Sequence, residues 1–473
     1  MSAAAGRIGS ALRVGPVAAW LIVATGLIGV AALAAVATRQ GMLPTALGLV
    51  TLGLVTLVGL RWPLVILLVF VALIPIEEVV VIGGLGTISR FAGILFAVAY
   101  IGSQVGRVKF TVMPLAVWAY VAWAIVSITW AIDPSTAWSQ LQTLIQLVLI
   151  AVLVADFVVQ RPAIVRPVLW VYSVAAAATA LIGIESYLAQ GVADTRAAAL
   201  QDQNPAQFAA VLLPALVFGL YETLNGERRI AGAAITALTA GGVLVSGTRG
   251  AWVAVAVVVL ILVLPQLRAR QRIAAVVMAL ALGAVLYQLP GVPDLLTERT
   301  GTVVSTGGAG RTDIWSVASS IYASAPVLGV GYANFPVAYT PEMVRVSNVT
   351  TLVLSGRGPH NAVVGTLIEL GPVGLALLVL ALGLLVARRG WGPDAATIQA
   401  ALASLLTLAL FLDILSNRKQ VWLVIGLAAG LAYLARQIRE AAAKEDGRRD
   451  EANGLLPKAD GRPDISRTST RGP

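Results

Sequence analysis

From about residue 16 to residue 436 the chain is a succession of apolar runs, most of them long enough to cross a lipid bilayer, separated by polar breaks, all but one of them short. A crossing takes roughly 20 apolar residues, and in hydrocarbon every backbone N–H and C=O must be bonded within the protein, so these runs predict helices. About fourteen are present, centred near residues 26, 51, 70, 97, 120, 149, 176, 215, 238, 257, 281, 379, 406 and 430. Those near 70 and 238 are short enough to be re-entrant or half of a broken helix, so twelve to fourteen spans are expected. The first run is too long for the apolar core of a signal peptide and reads as a spanning helix. With 58% hydrophobic and 12% charged residues the composition is that of an integral membrane protein. The expected fold is therefore all-α: a polytopic transmembrane helical bundle with no soluble catalytic domain.

Orientation follows from lysine and arginine, which accumulate in short cytoplasmic loops. With the N-terminus inside, alternate loops hold Arg61, Arg107 with Lys109, Arg161 with Arg166, Arg228 with Arg229, Arg268 with Arg270 and Arg272, and Arg388 with Arg389. Both termini are then cytoplasmic. Three polar segments face outward: roughly 190–205, the turn at 246–250, and a large loop at about 290–360 expected to contain short helices. The net charge of +10 reflects this topology and a polar tail, so a nucleic-acid partner is not indicated. The spanning domain is expected over 1–438 and a disordered cytoplasmic tail over 439–473.

Arginines in the outward segments run against the topology signal. They are Arg196 in "DTRAAALQDQNP", Arg249 in "SGTRGAW", Arg311 in "GGAGRTDIW" and Arg357 in "RGPHN". Taken singly, each has a structural reading, as a turn cap or a side chain reaching for lipid headgroups. Arg249, however, stands where a descending helix should begin, and a cation there opposes the helix dipole unless an anion lies between them. After Arg311, the residues Ile314, Val317, Ala318, Ile321 and Ala325 recur at helical spacing, with Thr312 as a candidate N-cap. Both arginines thus stand beside free backbone N–H groups, an arrangement suited to phosphate.

The single histidine, His360, lies in "RGPHNAVVGTLIELGPVG" at the border between this polar loop and a hydrophobic helix. A lone histidine is commonly a satisfied core residue. Beside cations, a neutral imidazole is also suited to remove a proton, and Asn361 is placed to hold the ring or a sugar hydroxyl. On one helix, Glu369 lies nine positions and about 180° from His360, which makes Glu369 a supporting residue, neutral or arginine-paired. Gly371 and Gly374 would permit close helix contact. No GxxxxGK[ST] loop is present, "GVGYAN" lacks a dinucleotide fingerprint, and one histidine without cysteine gives no zinc site. The carboxylates Asp202, Asp313 and Glu369 form no Asp-x-Asp pair for Mg²⁺.

"GRTDIWSVASSIYASAPVLGVGYANF" followed by "PHNAVVGTLIELGPVGL", with "SGTRGAW" and "RAAALQDQNPAQFAAVLLP" upstream, resembles the O-antigen ligase and O-antigen polymerase superfamily over roughly residues 120–435. The chain departs from that pattern at Gln203, before Asn204, and in its number of runs. The resemblance implies a metal-independent membrane glycosyltransferase without cofactor, acting outside the cytoplasmic membrane on a polyprenyl-diphosphate-linked glycan. It assigns Arg249 and Arg311 to the donor diphosphate and His360 as base, and gives recurrent positions at Arg196, Asn204, Trp315, Asn361 and Glu369. Arg357 joins the expected substrate-binding set by its place beside His360.

Such chemistry suits the outer face, where no ATP is available and the donor must arrive activated. Direct displacement would turn an α-linked donor into a β product. Expected partners are the lipid-linked donor, membrane lipids and a glycolipid, glycan or protein acceptor. Three acceptors stay open: a lipid core (ligase), a lipid-linked repeat (polymerase of O-antigen or exopolysaccharide) and a protein hydroxyl. A transporter or flippase of lipid-linked glycans is the reading from a different class, and it predicts repeated halves and mid-membrane charge.

Overall fold

The computed structural model describes residues 62–77, 81–82, 86–104, 106–189, 204–263, 311–346, 357–388 and 390–452. The apolar runs in these stretches are helical. In chain order the helices are α1 (Pro63–Leu73), α2 (Ile88–Gln104), α3 (Leu115–Val126), α4 (Pro134–Gln160), α5 (Val165–Ala189), α6 (Pro205–Asn225) and α7 (Arg229–Val245). They continue with α8 (Arg249–Val258), α9 (Arg311–Ser324), α10 (Phe335–Arg345), α11 (Ala362–Ala387), α12 (Ala395–Ala409) and α13 (Lys419–Ala452). Between α1 and α2 a two-residue antiparallel pair, β1 (Val81–Ile82) with β2 (Gly86–Thr87), is too short to form a layer.

Five helices, α4, α5, α6, α11 and α13, are long and apolar enough to cross a membrane, and six shorter apolar stretches accompany them. The runs near 70 and 238 are indeed short, at 11 and 17 residues in α1 and α7. Those centred near 26, 51 and 281 lie outside the described residues. Large apolar side chains such as Val69, Val98, Ile101, Leu181 and Val379 are exposed on the outside of the bundle, while its interior is also apolar. A chain apolar on both surfaces is matched to lipid rather than water, and the protein is a multi-pass membrane protein.

Small residues permit close helix contact. In α13, Gly426 and Gly430 face Ala151 and Ala155 of α4, and a Cβ on either glycine would sit 2.7 Å from the carbonyl oxygen of the facing alanine. Removing those carbons lets the two backbones approach without the hydrophobic effect, which does not drive association in lipid. Polar N-caps fix where several helices begin. Asp133 accepts from Ser135 N–H at 2.9 Å ahead of Pro134, and Asn204 accepts from Ala206 N–H at 2.9 Å ahead of Pro205.

Because successive spans alternate in direction, the bundle has two ends. One gathers Arg166, Glu222 and Asp394: Arg166 donates to the buried Glu222 at 2.5 Å and approaches Asp394 at 3.5 Å. The other gathers the turns at 130–133, 246–250, 357–361 and 410–418, and the pair α9–α10 packs over it. These two helices have their own small core, in which Ile314, Val317, Ala318 and Ile321 meet Phe335, Tyr339 and Ile368. The helical spacing read after Arg311 is therefore a buried face, with Ala325 partly buried beside it.

The C-terminal boundary differs from expectation. Helix α13 continues through Ala452, past the start of the tail expected to be disordered at 439. Its exposed extension is rich in helix formers and carries i,i+4 pairs, Arg436–Glu440 at 2.6 Å and Glu445–Arg449 at 3.0 Å. Residues 453–473 lie outside the described set.

Candidate active site

The site end is organised by a break in α11. Gly371 has φ 66° and ψ −174°, outside the helical region, and Pro372 follows it. Pro372 lacks the N–H that would return to Ile368, so carbonyls at the break need other donors. Val330 N–H donates to Ile368 O and Gly331 N–H to Glu369 O, both at 2.9 Å, and Trp123 Nε1–H donates to Leu370 O at 2.9 Å. The "GVG" turn between α9 and α10 is thus a cap on a broken helix. Its first glycine, Gly329, has φ 74°, and a Cβ there would lie 2.5 Å from Ile368 O.

Glu369 completes the clamp. Its carboxylate accepts from Phe335 N–H, at the start of α10, at 3.2 Å. Among the described residues it is thus held by a backbone group, whereas an arginine partner was one of the two alternatives expected from sequence. Next to it, fully buried Asn334 accepts from Asp133 N–H at 2.6 Å and donates to Tyr332 O at 2.9 Å. The loop therefore joins the break in α11 to the start of α4.

His360 precedes α11 rather than lying within it, with φ 50° in the left-handed region. The opposite-face argument for Glu369 fails on this point, because the chain between them is not one helix. Asn361 is the N-cap of α11, its Oδ1 accepting from Val363 N–H at 2.9 Å and Val364 N–H at 3.1 Å. The oxygen expected to hold the ring or a sugar is therefore engaged by backbone. Pro359 is buried, His360 and Arg357 are half-buried, and Trp315 of α9 donates from Nε1 to Pro359 O at 3.4 Å. Helix α9 is so tied to the residue before the histidine.

Arg249 opens α8 and is exposed, following Thr248, whose N–H donates to Ser246 Oγ at 3.2 Å. Arg311 opens α9, so that helix starts one residue ahead of the expected N-cap at Thr312. Asn204 caps α6. Arg196 lies outside the described residues.

The connection from α12 to α13 links these starting points. Phe411 packs on Gly250, where a Cβ would lie 2.7 Å from Phe411 Cβ. A few residues on, Asp413, Leu415 and Ser416 line a crevice of about 20 Å³ with Ala362, Glu369 and Tyr332. One short segment, at most roughly 3.6 Å per residue, thus spans from the Arg249 helix start to the His360 helix start. Burial pushes the Asp413 carboxyl up, partly offset by hydrogen bonds from Ser416, and burial likewise raises the Tyr332 hydroxyl. At the start of α4, hydrogen bonds from Ser135 and Thr136 lower Asp133 to about 2.

Several residues at this end had escaped sequence reasoning. Arg418 and Lys419 resemble Arg249 in being cations beside a turn at this end of the bundle. Lys419 pairs with Glu77, which also accepts from Thr87 Oγ1 at 3.0 Å. Asn334 and Trp123 carry no signal in sequence, because their partners are some two hundred residues away.

A helical multi-pass membrane protein with a polar site built where its helices begin is the class that fold and site define. Residues 234–379 match the family described as O-antigen ligase, and over that stretch the chain carries an O-antigen ligase family domain. The match spans Arg249, Arg311, Trp315, Arg357, His360, Asn361 and Glu369, while Arg196 and Asn204 precede it. No curated protein matches the chain.

Proposed function

We propose that the protein transfers a glycan from a polyprenyl-diphosphate donor to an acceptor hydroxyl at the extracytoplasmic face of the cytoplasmic membrane, as an O-antigen ligase does. The observation that carries this reading is the gathering of two arginine-headed helix starts and the His360 turn at one end of the bundle, inside the matched family domain. Family membership of that segment supports glycan transfer of ligase or polymerase type and lipid-linked substrates.

In this mechanism Arg249 and Arg311, with the free N–H groups of α8 and α9, hold the diphosphate and stabilise its charge as it leaves. Arginine suits this role because its planar fork binds phosphate bidentately and does not lose its proton. His360 accepts the proton of the acceptor hydroxyl. The acceptor oxygen forms its bond to the anomeric carbon as the bond to the diphosphate breaks, and that electron pair leaves with the diphosphate. A direct displacement of this kind inverts the anomeric configuration. Arg357 and Trp315 border the reacting groups, and Asn361 acts by fixing the start of α11.

The test is transfer by purified full-length protein supplied with a polyprenyl-diphosphate glycan, a lipid core, a lipid-linked repeat and a peptide as competing acceptors, with a chelator present. Loss of one electrostatic stabiliser of this type costs about 2.7–4 kcal/mol, a factor of roughly 10² to 10³ in rate. That loss is expected for Arg249→Ala and Arg311→Ala, and at least as much for His360→Ala. Product on the lipid core identifies the ligase reaction. Wild-type rates in all three variants, or movement of donor across the membrane without bond formation, would overturn the proposal.

A further inference from the structure

A second cavity, of about 250 Å³, opens at the site end between the start of α2, the first half of α4 and the start of α13. It has no part in the mechanism above. Two cations face it, Arg90 and Lys419, against one described carboxylate, Glu77. Glu77 is already engaged by Lys419 and by Thr87 Oγ1, and among the described residues Arg90 is in no ion pair. The amides of Gln146 and Asn417 add donors and acceptors suited to hydroxyl groups. Its size is below the roughly 300 Å³ at which pockets enclose drug-sized ligands, so it suits one headgroup unit rather than an oligosaccharide.

The far wall is apolar and leads out of the cavity. Ile94 lines the cavity and is 46% exposed, and Val98 and Ile101 follow it along α2 at 49% and 42%. These three recur at i, i+4 and i+7, so they form one lipid-facing stripe running down from the polar chamber. One loop links the cavity to the start of α11. Asn417 lines the cavity, and the preceding Ser416 lines the crevice shared with Ala362, the first residue of α11.

A cationic, hydroxyl-binding chamber above an apolar stripe is complementary to a lipid with an anionic, sugar-bearing headgroup. We infer that this cavity binds the phosphorylated sugar headgroup of the acceptor lipid, with its chain along α2, and so presents an acceptor hydroxyl toward His360. The inference rests on the glycan-transfer reading, and its closing experiment reads the cavity separately from transfer.

The chain contains no cysteine, so Thr143→Cys places a single thiol in the cavity wall. Full-length protein is placed in phosphatidylcholine nanodiscs and its maleimide labelling rate measured alone, with lipid A, and with the same mole fraction of phosphatidylglycerol. Labelling is expected to slow about tenfold with lipid A and less than about twofold with phosphatidylglycerol. Adding Arg90→Gln should abolish the lipid A effect. In the transfer assay, Arg90→Gln should raise the acceptor KM about tenfold with kcat unchanged, whereas Arg249→Ala lowers kcat. Equal protection by phosphatidylglycerol would reassign the cavity to a general anionic-lipid site, and no protection, or protection that survives Arg90→Gln, would overturn the inference outright. A wild-type protein that transfers no glycan would defeat the catalytic reading alone, since the labelling result does not depend on turnover.

Discussion

Replacing Gly329 by alanine tests whether the α9–α10 turn holds the broken helix together. The new Cβ would meet Ile368 O at 2.5 Å and Glu369 O at 2.6 Å, contacts with backbone that cannot swing aside. At φ 74° the alanine also carries the left-handed penalty of about 1–2 kcal/mol. Relieving the clash pushes the turn off the break and weakens the bonds from Val330 and Gly331. Each such bond contributes about 0.5–1.5 kcal/mol net, and leaving its carbonyl buried and unpaired costs about 1–3 kcal/mol. Against this stands about 0.4–1 kcal/mol gained by restricting the unfolded chain. The balance is a destabilisation of about 3 kcal/mol or more, concentrated where the His360 helix meets α10.

The natural control is Gly383→Ala, further along the same helix, where a Cβ meets nothing within 4 Å and helix propensity favours alanine by about 1 kcal/mol. Thermal unfolding of detergent-purified protein should show the first variant melting well below the wild type and the second at or above it. Tryptophan emission should shift in the first variant only, because Trp130 donates to Leu328 O at 3.2 Å and Trp123 to Leu370 O beside the disturbed carbonyls. If Gly329→Ala melts with Gly383→Ala, the reading of this turn as a helix cap is wrong.

Three further outcomes are expected. Asn361→Ala should lower stability by about 0.5–2 kcal/mol in thermal unfolding, while Asn361→Ser restores most of it; unchanged stability in the alanine variant would return Asn361 to a purely substrate-facing role. His360→Gly should leave stability within about 1 kcal/mol of wild type, because glycine accepts φ 50° without penalty, yet abolish transfer as His360→Ala does. The Asp133 carboxyl is lowered from 3.8 to about 2, so its cap contributes fully above pH 4 and is lost as pH falls through 2. Asp133→Asn should therefore flatten the pH dependence of the melting temperature between about pH 4 and pH 2, and an unchanged slope would show that other groups dominate it.

Much of this end of the protein could be read from local pattern. The turn "SGTRG" between two apolar runs is where α8 starts, and the spacing after Arg311 gives the buried face of α9, because both depend only on neighbours in sequence. The break in α11 was less accessible. Pro372 signals it, but its Gly-x-x-Gly setting reads equally well as a close helix contact, and Gly374 does approach Trp123. What decides the matter is the capping loop from residues 329–331, which sequence does not place against it. Helix α13 was cut short for a different reason: the tail's charge and low apolar content hide helix-stabilising Arg and Glu pairs at i,i+4. The acidic and basic groups around Glu77 and Lys419 meet only in three dimensions.

The capped break also divides the attachment of the α9–α10 pair into a firm side and a lighter one. Detaching residues 329–331 would strand two peptide oxygens, those of Ile368 and Glu369, beside a bilayer at once, so this joint fixes the α9–α10 pair at its base. The opposite margin, where α9 begins, is held more lightly, by the hydrogen bond from Trp315 Nε1 to Pro359 O at 3.4 Å.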